Sequence, residues 1–167
     1  LVSRFGADES LIDVLPVPLS LISEEIMLFN EHRPFSIGFV GRIQKERDLK
    51  LFAEVCTKIA SVNNELKVVI IGDGKNRESF ITELRKSIPS ENIEYLGYLN
   101  GSALEQSWSK IGVLLSTAPN ESYGRSIRES LMHGIPVLAR NSMGVDSLRM
   151  EAPQNWIRVL DPKMNAE

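Results

Sequence analysis

The stretch Glu-Ser-Tyr-Gly-Arg-Ser-Ile-Arg-Glu, residues 121–129, lies between two short apolar runs at 111–115 and 135–139. Short apolar runs bounded by turn residues are typical of buried strands in a parallel sheet. The segment between them therefore predicts a loop and then a short helix, which begins near Gly124 and ends at His133-Gly134. Such a helix directs its free N–H groups and its positive dipole end into the crevice where α/β proteins bind ligands.

Two carboxylates flank the start of this predicted helix. Glu121 lies in the loop before it, and Glu129 follows Arg125 by four residues, so Arg125 and Glu129 share one side of the helix. Taken alone, each glutamate is more often a solvated or ion-paired side chain. Together with the amide donors between them, they suit a ligand that has a phosphate at its centre and hydroxyl-bearing rings at its ends.

The remaining sequence alternates strand and helix patterns at the spacing of a parallel, doubly wound, Rossmann-like α/β sheet with right-handed crossovers. Asp48 is expected to cap one helix, and Ser102 with Glu105 has the form of a capping box that opens another. The other predicted elements are an extended stretch at 11–18, strands at 35–40, 66–71, 93–96, 111–115, 135–139 and 156–160, and helices at 23–29, from about 76 and at 144–149.

Composition excludes several classes of function. A chain of 167 residues with 43% hydrophobic and 25% charged residues is typical of one globular domain. The net charge of -3 does not favour nucleic acid as a partner. The single cysteine, Cys56, is expected to be a small buried hydrophobe, and two histidines provide no zinc set. The sequence has no apolar run of membrane-spanning length and no signal-peptide pattern.

A basic loop follows the first predicted strand and contains the cations Arg42, Lys45 and Arg47. Alone, such a loop is as often a solvated surface. In a parallel sheet, however, it opens on the same edge as the loop that holds Glu121. A second turn, Gly72-Asp73-Gly74, has only half of a dinucleotide-binding spacing, because Arg77 occupies the position of the third glycine.

These segments, in this order, resemble the nucleotide-sugar glycosyltransferases of the GT-B fold. Residues 41–43 with Arg47 are similar to the G-R-L-x-x-x-K-G signature, residues 72–74 to the G-x-G turn, and residues 92–97 to the N-V-x-F-L-G strand. Residues 121–137 are similar to E-G-F-G-x-x-x-x-E-x-x-x-x-G-x-P-V. The resemblance covers about residues 35–150 and matches the C-terminal, donor-binding domain of the family 4 retaining transferases (glycosyl transferases group 1), which is one half of a GT-B architecture.

The resemblance implies a role for each matching residue. Arg42 and Arg47 would hold the diphosphate of the donor, Glu121 would contact the transferred sugar, and Glu129 would accept hydrogen bonds from the ribose. These implied catalytic groups are Glu121, Arg42 and Arg47, and no metal is expected. The remaining implied donor-binding positions, which include the amides that would hold sugar hydroxyls and phosphate, are Gly41, Tyr123, Gly124, Arg125 and Ser126.

The chain departs from the family pattern at four places. Arg47 replaces the usual lysine, which keeps the charge but changes hydration and geometry. Asp48 replaces a glycine and adds a negative charge next to the expected diphosphate. Thr117-Ala118 replaces Pro-Ser, and Ser130 replaces alanine.

The resemblance implies retaining transfer of a hexose from a nucleoside diphosphate sugar to an acceptor hydroxyl, in polysaccharide or glycolipid biosynthesis. Residues 1–34 are expected to be a lead-in or inter-domain segment, and residues 35–167 a donor-binding domain whose final helix is truncated. The chain would then lack an N-terminal acceptor domain and transfer little sugar alone. The expected location is cytoplasmic, and peripheral membrane association of the full-length enzyme is compatible with a lipid-linked acceptor.

Two other functions remain open from the sequence. A nucleotide-sugar epimerase would share the architecture but would need further acids and histidines. A non-catalytic α/β module that binds a protein would make the pair of acids incidental.

Overall fold

A computed structural model describes residues 33–160 and shows a single parallel sheet with helices on both faces. The strand order is β3-β2-β1-β4-β5-β6, so the chain builds outward from β1, returns to its other side at β4 and continues outward. The strands are β1 Ser36–Val40, β2 Lys67–Ile71, β3 Ile93–Gly97, β4 Val113–Ser116, β5 Val137–Ala139 and β6 Ile157–Val159. The helices are α1 Leu49–Val62, α2 Arg77–Leu84, α3 Gly101–Ser107, α4 Arg125–Met132 and α5 Met143–Glu151.

The expected doubly wound α/β sheet is confirmed, and its topology places a ligand crevice at the carboxyl ends of β1 and β4, where the winding direction reverses. The elements predicted at 11–18 and 23–29, and the end of the chain after residue 160, lie outside the described residues.

Two predicted strands begin two residues too early. Ile111 and Ile135 are buried, but their amides bond to Trp108 and Ser130 in the preceding turns, not to a neighbouring strand. The apolar runs therefore mark buried residues, whereas the hydrogen-bonded strands begin at Val113 and Val137.

The predicted capping box at Ser102 is wrong. The helix α3 begins two residues earlier than a cap at Ser102 would place it, at Gly101, and its N-cap, Asn100, makes no side-chain capping bond. Glu105 instead turns towards the amino edge of the sheet, where its Oε2 lies 3.1 Å from His133 Nε2. The predicted cap at Asp48 is confirmed, because its Oδ1 accepts a hydrogen bond from Leu51 N at 3.3 Å.

Two apolar layers hold the helices on the sheet. On one face, Phe39 packs with Phe52 of α1 and Phe80 of α2, with ring centroids 5.3 to 5.5 Å apart. The predicted burial of Cys56 in this layer is confirmed, and burial raises the pKa of its thiol far above the ordinary value. The other layer packs α4 and α5 through buried side chains that include Ile127 and Leu148. No helix among residues 33–160 has the length and apolar character needed to cross a membrane.

His133 closes α4 at the amino edge of the sheet, as predicted. Its ring stacks on buried Trp108 at 5.3 Å, and its carbonyl oxygen accepts a hydrogen bond from Arg33 Nη2 at 2.9 Å. Burial lowers the pKa of His133 below its ordinary 6.5, and Arg33 lowers it further, while Glu105 and Glu129 oppose the shift. The folded chain therefore favours the neutral imidazole.

This lowered pKa predicts a loss of stability in mild acid. The contribution of His133 is complete above pH 6.5, the ordinary pKa, and is lost as the pH falls through the folded pKa. Between pH 7.5 and 5.5, wild type should lose more free energy of unfolding than H133Q, by up to about 1 kcal/mol. Urea denaturation measures this difference. The two proteins should change in parallel between pH 7.5 and 8.5, and parallel change below pH 6.5 as well would contradict the prediction.

Candidate functional site

The loop after β1 lies across the carboxyl end of β2. Gly41 N donates to Ile71 O at 2.9 Å, and Ile43 N donates to Asp73 O at 2.9 Å. A Cβ at Gly72 would lie 1.9 Å from Gly41 O, and one at Gly74 would lie 2.3 Å from Ile43 O. The Gly72-Asp73-Gly74 turn is thus made of glycine because another backbone passes over it.

Arg47 ends this loop, and two groups fix its position. Its carbonyl oxygen accepts a hydrogen bond from Thr117 Oγ1 at 2.7 Å, and its Nη1 lies 2.7 Å from Glu121 Oε2. The Arg47 side chain is 30% exposed and that of Glu121 only 10%, so solvent screens this ion pair less than a surface pair. Two of the three catalytic residues implied by the resemblance, Arg47 and Glu121, are therefore in direct contact.

Glu121 is bonded through its backbone as well as its side chain. Its second carboxylate oxygen, Oε1, accepts a hydrogen bond from Gly124 N at 3.0 Å. Its carbonyl oxygen accepts from Gly144 N at 3.1 Å and Ser142 Oγ at 3.3 Å, both at the start of α5. Gly124 has φ 68, the left-handed conformation that glycine adopts without steric cost, and this turns the chain into α4.

The helix α4 presents the second acid as predicted. Arg125 Nε lies 2.9 Å from Glu129 Oε1, so the two side chains share one helix face, and the Glu129 side chain is 22% exposed. The Gly124 amide, expected to meet the ligand, bonds to Glu121, and the amides of Arg125 and Ser126 follow it in the first turn, where no intrahelical acceptor exists. Ser126 also lines the narrow crevice at the ends of β1 and β4 with Arg47.

Arg42, the other implied diphosphate ligand, is exposed next to Gly41. Its side chain makes no hydrogen bond or ion pair with another residue of the described range, 33–160. This differs from Arg47, whose guanidinium is already paired. At this edge of the sheet, Arg47 is therefore paired with Glu121, and Arg42 has no side-chain partner among the described residues.

Arg128 supports the loop that contains Tyr123, a role that the sequence did not reveal. Its guanidinium lies 4.6 Å from the Tyr123 ring centroid, and its Nε donates to Tyr123 O at 3.2 Å. The Glu151 carboxylate, 2.7 Å from Arg128 Nη1, raises the pKa of Arg128, while the pKa of Glu151 is lowered by this contact. This bond joins the start of α4 to the end of α5.

Other residues support the site through contacts that the sequence did not predict. Thr117 anchors Arg47, Asp48 pairs with Arg140, and Ser142 with Gly144 holds Glu121. Thr117 and Arg140 directly follow strands that end at the ligand edge, which is the sequence signal that could have found them. Residues 33–160 contain no group of three or more His, Cys, Asp or Glu able to hold a metal ion.

A methyl group at Gly144 should disturb the site even though it favours the helix. An alanine Cβ would lie 2.2 Å from Glu121 O and 2.4 Å from Ser122 O, both backbone atoms, so the loop would have to move. We expect G144A to lower the free energy of unfolding by about 1–3 kcal/mol through overpacking. The control M150A, at a side chain 90% exposed on the same helix, should change it by less than about 0.5 kcal/mol. Chemical denaturation that ranks G144A equal to or above wild type would refute the expectation.

Comparison with known proteins connects this site to a family. A model of "Glycosyl transferases group 1" matches residues 24–154. A GDP-mannose-dependent alpha-mannosyltransferase of Mycolicibacterium smegmatis is 27% identical over 108 residues, which are 65% of this chain and 26% of that protein. A 2-deoxystreptamine glucosyltransferase of Streptomyces kanamyceticus is 24% identical over 151 residues, 83% of this chain and 39% of that protein.

A solved structure agrees with the sheet and its helices. A mutant of S. aureus TarM in complex with fondaparinux, alpha-GlcNAc-glycerol and UDP superposes with a TM-score of 0.68 at 18% identity, over 84% of this chain and 29% of that one. The chain therefore spans between 26% and 39% of the lengths of these proteins. The family match, which extends over most of the sequence and includes the whole Arg47–Glu121 site, shows that the chain belongs to the glycosyl transferases group 1 family.

Proposed function

We propose that this chain is the donor-binding part of a retaining glycosyltransferase that takes a hexose from a nucleoside diphosphate sugar. The observation that carries the proposal is the contact of Arg47 with Glu121, whose other oxygen accepts the Gly124 amide at the start of α4. A cation, a carboxylate and a helix N-terminus thus meet at the sheet edge where α/β folds bind ligands. Relatives include a GDP-mannose-dependent enzyme, and TarM was solved with UDP.

The chemistry needs a group that stabilises the leaving diphosphate. The bond between the anomeric carbon and the phosphate oxygen breaks, and its electron pair stays on the diphosphate. The acceptor oxygen bonds to the anomeric carbon, and its proton passes to the departing phosphate oxygen. Arg42, Arg47 and the first-turn amides of α4 supply positive charge and donors for the oxygen that gains charge, without requiring a metal ion.

Arginine at position 47 can bind the diphosphate and Glu121 at the same time. A guanidinium has five N–H donors in a planar fork, and the described contact with Glu121 uses Nη1. The remaining donors can bind phosphate while the contact with Glu121 persists. Glu121 would then face the sugar and Glu129 the ribose, the roles implied by the family pattern. The acceptor would come from polysaccharide or glycolipid biosynthesis. We assign its binding to residues outside this chain, so the chain alone should transfer little sugar.

Nucleotide binding by the 167-residue chain tests this proposal. Isothermal titration with UDP, GDP and ADP should detect weak binding of at least one of them. For that nucleotide, E129Q should lower the affinity by about 10-fold, since a hydrogen bond to a charged group contributes roughly 1.5–3 kcal/mol. Circular dichroism and urea denaturation should show E129Q to be folded.

The matched control is E54Q, which removes a carboxylate of α1 that is 48% exposed and lies 3.5 Å from Lys50. This variant should bind like wild type. A folded wild-type chain that binds none of the three nucleotides at millimolar concentration would overturn the proposal. Equal binding by E129Q and wild type would favour a module in which the pair of acids is incidental.

A further inference from the structure

Asp48 and Arg140 join two loops at the ligand edge of the sheet. Asp48 follows Arg47 in the loop after β1, and Arg140 directly follows β5. Asp48 Oδ2 lies 2.5 Å from Arg140 Nη1, while Asp48 Oδ1 accepts the capping bond from Leu51 N. One carboxylate therefore caps α1 and also attaches its start to the end of β5.

The backbone at Asp48 indicates that this side chain has a specific task. Its φ of 48 and ψ of 61 lie in the left-handed region, which costs most residues roughly 1–2 kcal/mol, whereas glycine enters it freely and aspartate more easily than most. The family pattern has glycine here. Aspartate adds a carboxylate that glycine lacks, and this carboxylate bonds to both Leu51 N and Arg140 Nη1.

Arg47 is held on both sides by this arrangement. Its own carbonyl accepts a hydrogen bond from Thr117 Oγ1, and the next residue, Asp48, is held by Arg140. The backbone amide of Arg140 donates to Ser116 O at 2.7 Å, at the end of β4. The ends of β4 and β5 thus fix the backbone from which the Arg47 side chain extends to Glu121.

We propose that Asp48 and Arg140 are positioning residues that hold Arg47 beside Glu121, where its guanidinium meets the donor diphosphate; this rests on the proposed function. A lysine at position 47 would act as a flexible point charge, whereas a planar guanidinium must be aimed to serve two anions at once. The Asp48–Arg140 pair orients the Arg47 guanidinium, because it fixes the backbone directly after Arg47. Arg140 acts through Arg47 and does not itself bind phosphate.

Nucleotide titrations of five variants test the pair. With the nucleoside diphosphate that wild type binds best, R140Q and D48N should each bind roughly 5-fold more weakly, a coupling of ordinary size for groups in one network. R140K should remain within about 2-fold of wild type, since an ammonium can still pair with Asp48. R47Q should also weaken binding, and R47Q/R140Q should be no weaker than R47Q. A merely structural loss would instead add to the effect of R47Q.

A second readout requires no nucleotide. The Arg47 Nη1–H protons, which meet Glu121, should exchange with water several-fold faster in R140Q than in wild type when followed by NMR. The control is K86Q, which breaks an exposed ion pair with Glu83 at 2.6 Å at the end of α2 and should change neither measurement.

Three results would overturn the positioning role. These are unchanged Arg47 exchange in R140Q, tighter binding by D48N (which would make the released Arg140 a direct phosphate ligand), or an undiminished effect of R140Q in the R47Q background. A wild-type chain that binds no nucleotide overturns the proposed function instead. In that case the exchange of the Arg47 Nη1–H protons still decides whether the pair holds Arg47.

Discussion

The carboxylate of Glu121 is the contact on which the site depends. One oxygen meets Arg47 from the loop after β1, and the other accepts the Gly124 amide at the start of α4. Its backbone carbonyl is held at the start of α5 by Gly144 N. Elements after three different strands therefore converge on one residue that is 10% exposed at its side chain. A charge buried to this degree must be paired, and its partners fix the relative positions of the three loops.

Three glycines near the ligand edge have a steric explanation in this chain. Gly72 and Gly74 allow the carbonyls of Gly41 and Ile43 to pass within distances that no Cβ tolerates, and Gly144 does the same for the Glu121 carbonyl. Backbone, rather than side chains, is what approaches at these sites. The glycines place the loops, and the loops place Arg47 and Glu121. A phosphate-binding role for the Gly72-Asp73-Gly74 turn is therefore unnecessary to account for its composition.

The sequence predicted the sheet and predicted that the loops with Arg47 and Glu121 open on one edge, because parallel strands bring their following loops together there. The direct contact between the two side chains was not predicted. The sequence also predicted the Arg125–Glu129 pair, which helical spacing alone determines. It could not predict the Asp48–Arg140 pair, since residues 92 positions apart meet only through the strand order. The prediction of a capping box at Ser102 was wrong for a local reason: the residue types match the pattern, but the helix begins two residues earlier. Short patterns predict that an element exists more reliably than they predict its first residue.

Charge balance decides how such a site can bind an anion. Within residues 33–160, Arg47, Arg125 and Arg140 each face a carboxylate, and only Arg42 among the arginines at this edge has no such partner. The chain as a whole carries a net charge of -3. A diphosphate is therefore not drawn in by a broad positive field. In the proposed function, its affinity would come from directed bonds with Arg42, the spare donors of Arg47 and the first-turn amides of α4. Directed bonds depend on the placement of each donor, so the proposed positioning by Asp48 and Arg140 would affect binding although neither residue would touch the ligand.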